Sequence, residues 1–252
     1  MDTYLLSFIH GYLFHISPEW LSVLTFIIAS LLLLLFLRVA GVAGVFCFIN
    51  LAYLISNIQV LHVAKFSFLS EPVALGTVLF AMTYLATDIV TEHYGVQRAR
   101  QAVVLSFLAQ VGFTVFLLIT LAHPPLNESI TNRDIYGAMS TLFTPSLRIL
   151  VASLISYYIS QMLDIAVFQK IADVTHKRWL WLRAAVSTSL SAFADNVIFS
   201  TLAWVLLSPD PVSLQSLIFT YILGTYIARA FVAVAGVPVM YLSYYFLPKK
   251  TN

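Results

Sequence analysis

Five ionisable residues stand deep inside stretches of apolar sequence. Asp88 and Glu92 are four residues apart, Asp164 and Asp195 occupy two later stretches, and Arg229 lies in the last. An ionised side chain in a hydrocarbon core costs roughly a few kcal/mol or more, so such a residue pairs, takes up a proton or lines water. Four acids face one deep Arg, so at least three carboxyls need a proton, water or hydrogen-bond donors. Amides accompany them: Asn57 and Gln59 upstream, Gln161 three residues before Asp164, and Asn196 directly after Asp195. Tyr53, Tyr84, Phe193 and Phe199 supply rings. Carboxylates and amides together read donor and acceptor edges, and rings stack on flat molecules. The set suits a small, planar, polar ligand. Glu92, close to Arg98 and Arg100, reads as an interfacial ion pair. Asn50 reads as a hydrogen bond between helices.

Other chemistries find no footing. His10, His15, His62, His93, His123 and His176 are scattered, with no HExxH spacing, and Cys47 is the single cysteine. No metal site follows. No Walker A sequence and no arguable Ser-His-Asp set occur. No catalytic residues and no cofactor are therefore expected.

The elements that must position these residues follow from composition. Of 252 residues, 60% are hydrophobic and 10% charged, against about 45–50% and 25% in a soluble domain. That excludes a soluble enzyme, a disordered chain and a disulfide scaffold. A net charge of +2 gives no reason to expect nucleic acid. The class is an all-α, polytopic membrane helix bundle in contact with the lipid bilayer. A crossing needs about 20 apolar residues, and seven stretches qualify: 19–37, 40–63, 72–93, 99–122, 146–169, 184–207 and 214–246. The last is long enough that it must tilt, kink near Gly236–Pro238 or extend past the membrane. Residues 1–18 carry no Lys or Arg, so the first stretch reads as a retained span rather than a signal peptide. Segment 3–16 is apolar and is expected to lie in the interface or to pack on the bundle. The connection 123–145 is expected to hold a short helix ending near Pro145.

Loop charges set the orientation. One side receives Arg38, Arg98, Arg100, Lys170, Lys177, Arg178, Arg183, Lys249 and Lys250, and the other receives Lys65 and Arg133. Nine against two places the N-terminus outside and the C-terminus in the cytoplasm.

Two consecutive spans share a pattern. Ser160-Gln161-x-x-Asp164-x-x-x-Phe168 parallels Ser191-x-x-x-Asp195-x-x-x-Phe199, and each is preceded by an Arg followed at +5 by a hydroxyl: Arg148 with Ser153, Arg183 with Thr188. Internal symmetry of this kind marks transporters with a site at the repeat interface. It suggests two helices presenting similar faces to one cavity.

Several of these motifs together resemble a known family. Ala86-Thr87-Asp88, then Glu92-His93-Tyr94-Gly95, then Arg98-Ala99-Arg100 resembles the signature of the queuosine precursor transporters, also called the vitamin uptake transporters. Arg148, Ser153, Gln161, Asp164 and Phe168, then Ser187-Thr188, Asp195 and Phe199, resemble its downstream elements, and Asn57 and Lys65 fit its second helix. The likeness covers about 50–246. The chain departs from the pattern at Ala81 or Met82 in place of Pro, at Ala192 in place of an amide, and at Arg229 in place of Lys.

The resemblance implies uptake of a 7-deazaguanine across a bacterial inner membrane, for salvage into tRNA modification. It implies a six-helix core similar to the substrate-binding subunits of energy-coupling-factor importers. The expected organisation is one transmembrane domain, 1–252, with an added N-terminal helix (1–38) on a core of 40–246. The expected binding residues are Asn57, Tyr84, Asp88, Gln161, Asp164, Asp195, Asn196 and Arg229, with Arg229 keeping one acid ionised. The ligand is a planar, purine-like molecule, taken up by alternating access or facilitated passage. A homodimer or energising ATPase subunits are partners that this reading leaves room for. The alternatives are a binding subunit of an ATP-driven importer and an intramembrane enzyme using the buried acids.

Overall fold

Gly41 divides the longest apolar stretch. The computed structural model describes residue 11 and residues 16–67, 73–125, 130–143 and 147–248. Its first helix, α1, runs Pro18–Gln59. Straight, it would be about 63 Å long at 1.5 Å per residue, roughly twice a bilayer core. Gly41 interrupts it with φ 58° and ψ −133°, a conformation closed to residues with a Cβ. The rings of Phe36 and Phe48 then meet with centroids 6.4 Å apart, and Thr25 and Gln59 line one crevice. The helix therefore folds back on itself into two arms, 18–40 and 42–59, matching the first two expected spans.

Next come a two-residue antiparallel pairing of β1 (Val63–Ala64) with β2 (Val73–Ala74), α2 (Thr77–Tyr94) and α3 (Val96–Ala122). A short α4 (Ile130–Phe143) occupies the long connection. Then follow α5 (Leu147–Val174) and α6 (Leu180–Thr201), the latter continued by a π-helical turn, Leu202–Leu206. The last crossing is segmented. A helical turn Leu214–Ser216 leads into π-helical Leu217–Gly224, α7 (Thr225–Ala235), α8 (Val237–Ser243) and a 3-10 turn Tyr244–Phe246. One boundary falls at Gly236, within the stretch where a kink is expected, with Pro238 in the first turn of α8; Gly236 itself keeps helical dihedrals, φ −72° and ψ −20°.

Five of these stretches are long and apolar enough to cross a bilayer, α1 among them with its two arms. The acid-bearing α2, which is not among those five, is the most enclosed helix, with every residue from Phe80 to Thr91 buried. It packs against α1, α3, α5, α6 and α7. The bundle encloses a hydrophobic core into which polar and charged groups are set, and it turns large apolar side chains outward. Asp88, Asp164, Arg183 and Asp195 are buried, while Leu31, Phe116, Phe219 and Phe231 are exposed to lipid.

The two ends differ. At one, the Gly41 turn lies beside Tyr94 and Pro248, and Arg38 donates to the Leu247 carbonyl at 3.0 Å. Arg98, Arg100, Lys177 and Arg178 gather there, so we call it the basic end. At the other, the hairpin end, Ser67 N donates to Glu19 Oε1 at 2.6 Å. Segment 3–16 apart from Gly11 and Ile16, together with Pro145, Lys249, Lys250 and the Arg148 side chain, lies outside the described residues.

Candidate functional site

A cavity of about 450 Å³ lies between the second arm of α1, α2, α5, α6 and the last crossing. Leu61, Val63 and Trp204 wall it near the hairpin end, and Asp195 and Arg229 are its deepest polar groups. Arg229, from α7, pairs with Asp195 Oδ2, and its guanidinium lies 4.7 Å from the Phe80 ring centroid. Ser160 Oγ donates to Asp195 Oδ1 at 3.2 Å, and Tyr84 Oη donates to Ser160 Oγ at 2.8 Å. A charged acceptor thus has a cation and a hydroxyl on separate oxygens. A buried carboxylate is stabilised when a cation and hydrogen-bond donors satisfy its oxygens in this way.

The wall above is also tied. Ser153 Oγ donates to Asn57 Oδ1 at 3.1 Å, while Asn57 Nδ2 donates to the Tyr53 carbonyl at 3.1 Å. Asn196 Nδ2 donates to the Ile222 carbonyl at 3.1 Å, inside the π-helical stretch, where backbone bonds leave the α register. Asn196 also lines the cavity. Of the expected rings, Phe199 lines the cavity. Tyr53 instead stacks on Tyr157, with centroids 4.0 Å apart, and Phe193 meets Tyr226 edge-on and is 40% exposed. Trp204 and Tyr221, with centroids 5.0 Å apart, complete the aromatic wall. Sequence reasoning missed this pair. The signal was present for Trp204, since Asn196, Ser200 and Trp204 recur at four-residue spacing on one face of α6.

Beneath the floor, polar layers continue to the basic end. Gln161 Nε2 donates to Thr83 Oγ1 at 2.8 Å, and Thr87 Oγ1 donates to Gln161 Oε1 at 2.9 Å. One turn further, Thr188 Oγ1 donates to Asp88 Oδ2 at 3.2 Å, and Asp164 faces Asp88. The last layer is an ion pair of Arg183 with Glu92, to which Tyr244 Oη also donates. The Arg183 guanidinium lies 5.2 Å from the Phe168 ring centroid.

Four expected residues therefore line the cavity: Asn57, Asp195, Asn196 and Arg229. The other four, Tyr84, Gln161, Asp88 and Asp164, lie in the layers between the cavity and the basic end. Four readings change. Glu92 pairs with Arg183 rather than with Arg98 or Arg100, because it shares the inward face of α2 with Asp88. Arg183, counted among the loop cations, is 1% exposed. Asn50 Nδ2 bonds the Phe46 carbonyl of its own helix at 2.8 Å rather than a neighbouring helix. The repeat does not present both acids to one cavity either: Asp195 lines it and Asp164 lies deeper.

Residues 74–243 match the family described as "Putative vitamin uptake transporter". The chain belongs to this family. Among its relatives is a "Probable queuosine precursor transporter" of Bacillus subtilis (strain 168), 32% identical over 198 residues, covering 78% of this chain and 84% of the relative. A protein of the same description from Haemophilus influenzae is 29% identical over 138 residues, 54% of this chain and 53% of the relative. No solved structure matches. The vitamin uptake transporter match begins at β2, so α1, which brings Asn57 to the cavity, lies outside it.

Proposed function

We propose that this chain imports 7-deazaguanine precursors of queuosine across the bacterial inner membrane. It is a carrier rather than an enzyme, with its N-terminus outside and its C-terminus in the cytoplasm. The whole chain acts as one transmembrane domain, in which 1–38 is an added helix on a core of 40–246.

The observation that carries the reading is the cavity of about 450 Å³ with the Asp195–Arg229 pair as its floor. That volume falls in the usual range for small-molecule sites, about 300–1,000 Å³. A flat base fits between aromatic walls, here Phe199, Trp204 and Tyr221. The guanidine-like edge of a deazaguanine donates two hydrogen bonds, which a carboxylate accepts. Asp195 accepts from that edge, Arg229 pairs with its other oxygen, and Asn57 and Asn196 add hydrogen bonds. Passage then runs along the layers of Tyr84, Gln161, Asp88 and Asp164. The cavity lies within one chain, so binding needs no second copy.

The test is uptake into cells unable to synthesise queuosine, with this chain as the added gene and queuosine in tRNA as the readout. The host should lack energy-coupling-factor ATPases. Restored modification at low external precursor supports import by the chain alone. Failure, with the chain present in the membrane, would overturn that reading.

A further inference from the structure

Asp88 and Asp164 lie below the cavity, and nothing in ligand binding there uses them. They come from α2 and α5 and are fully buried. Asp88 Oδ1 and both oxygens of Asp164 have no hydrogen-bond partner, although the Asp88 carboxyl and the Ser187 and Ser191 hydroxyls are ranged around Asp164. Ser191 Oγ, fully buried as well, is also unpartnered. Toward the basic end, Nε and Nη1 of the buried Arg183 are unpartnered too, since only Nη2 engages Glu92. Unsatisfied acceptors and unsatisfied donors thus occupy neighbouring layers without being joined. Buried polar atoms of this kind are rare, and each calls for an explanation.

Among the described residues no cation is hydrogen-bonded to the acid pair, although the charge of Arg183 bears on Asp88. On the basic side stand Arg183, Glu92, His93 and Tyr244, with Arg183 tied to Glu92. On the cavity side, Tyr84 bonds Ser160, and Arg229 is tied to Asp195. Two carboxylates in contact in a dry interior cannot both be charged, so they share a proton.

We infer that the Asp88–Asp164 pair is a proton-binding site and that its proton crosses together with the substrate. This rests on the import reading above. With the basic end closed, the proton keeps the pair neutral enough to stay dry. When that end opens, water reaches the pair, the carboxyl O–H bond breaks and the proton passes to water on that side. The free Nε and Nη1 of Arg183 then turn to the new carboxylate and release Glu92. Substrate and proton leave on the same side, which makes the process symport.

The experiment uses the purified full chain in liposomes, with labelled 7-deazaguanine as the probe. Counterflow against internal unlabelled probe tests transport alone. An acid exterior, without sodium, then tests coupling. One proton per substrate gives about tenfold accumulation for each pH unit, with alkalinisation of the exterior read by an impermeant dye. Asp164→Asn, normalised to its own counterflow, is expected to accumulate no more with the gradient than without it. Counterflow by the wild type without gradient-driven accumulation would sink the coupling and spare the import reading, as would accumulation driven by sodium alone. Accumulation by Asp164→Asn equal to the wild type would also overturn it. If Asp164→Asn shows no counterflow, the dye signal of the wild type decides. No counterflow by the wild type would overturn both.

Discussion

Ser160 of α5 donates a hydrogen bond to Asp195 of α6 at 3.2 Å, and one turn along both helices the roles reverse: Ser191 of α6 faces Asp164 of α5. The two helices are antiparallel neighbours. A Ser four residues before an Asp on each therefore places each hydroxyl opposite the other helix's acid. The repeat in the sequence is a reciprocal pairing across one interface, and its two halves lie at different depths.

The halves should respond differently to removal of the hydroxyl. Ser160→Ala takes a donor from a charged acceptor and leaves Tyr84 Oη without its acceptor. A hydrogen bond to a charged group contributes about 1.5–3 kcal/mol, and a loss of that order is expected in thermal unfolding of the detergent-solubilised chain. Ser191 Oγ closes no hydrogen bond, so Ser191→Ala should lie close to the wild type. Equal losses in both variants would contradict the asymmetry.

The floor of the cavity should show the behaviour of a buried ion pair. Arg229→Met leaves Asp195 buried without its cation, and breaking such a pair costs about 3–5 kcal/mol. Adding Asp195→Asn removes the stranded charge and should recover most of the stability. Uptake should stay abolished in both, since the floor has lost its cation in the first and its carboxylate as well in the second. A double variant that transports at the wild-type rate would remove Asp195 from the site.

Much of this was legible in sequence because a bilayer makes charge expensive. Asp195, Arg229 and Asn57 stood out as polar residues in apolar stretches, and all reach the cavity. Depth was not legible. Asp88 and Asp164 carry the same signal as Asp195, and only the packing of α2 between α5 and α6 places them a layer or more below it. Glu92 illustrates a second limit. Nearness in sequence favoured Arg98 and Arg100, but a helix face, not sequence distance, decides which cation a side chain meets. The split of α1 was readable from Arg38 and from the length of the run, whereas the turn itself depends on a positive φ at Gly41. Tyr221 was hidden because aromatic residues in membrane helices are common on every face.

The Arg183–Glu92 pair should act as the closure at the basic end. Cys47 is the single cysteine, so Cys47→Ser clears the background for S200C, at a buried position on the cavity wall. A membrane-impermeant thiol reagent is expected to label S200C from outside the cell and to label inverted vesicles weakly. Arg183→Met unties Glu92 and should raise labelling in inverted vesicles several-fold. Labelling of the parent from the inverted side alone would reverse the proposed orientation.

The fold-back of α1 should depend more on Gly44 than on Gly41. At Gly41 a Cβ would stand 3.2 Å from Tyr94 Oη and 3.3 Å from Pro248 Cγ. The main penalty there is φ 58°, about 1–3 kcal/mol for a residue held in such a region. At Gly44 the backbone is helical, but a Cβ would lie 1.9 Å from the Phe36 carbonyl oxygen. Backbone cannot yield as a side-chain tip does, so the two arms must separate. Separation tilts the second arm, whose far end carries Tyr53 and Asn57 to Ser153. Gly44→Ala should therefore lower both membrane yield and uptake, while Gly41→Ala lowers stability and leaves most uptake in the protein that folds. Thermal unfolding, with uptake normalised to folded protein, separates the two. A harmless Gly44→Ala would mean that the arms do not approach as closely as Phe36 and Gly44 require.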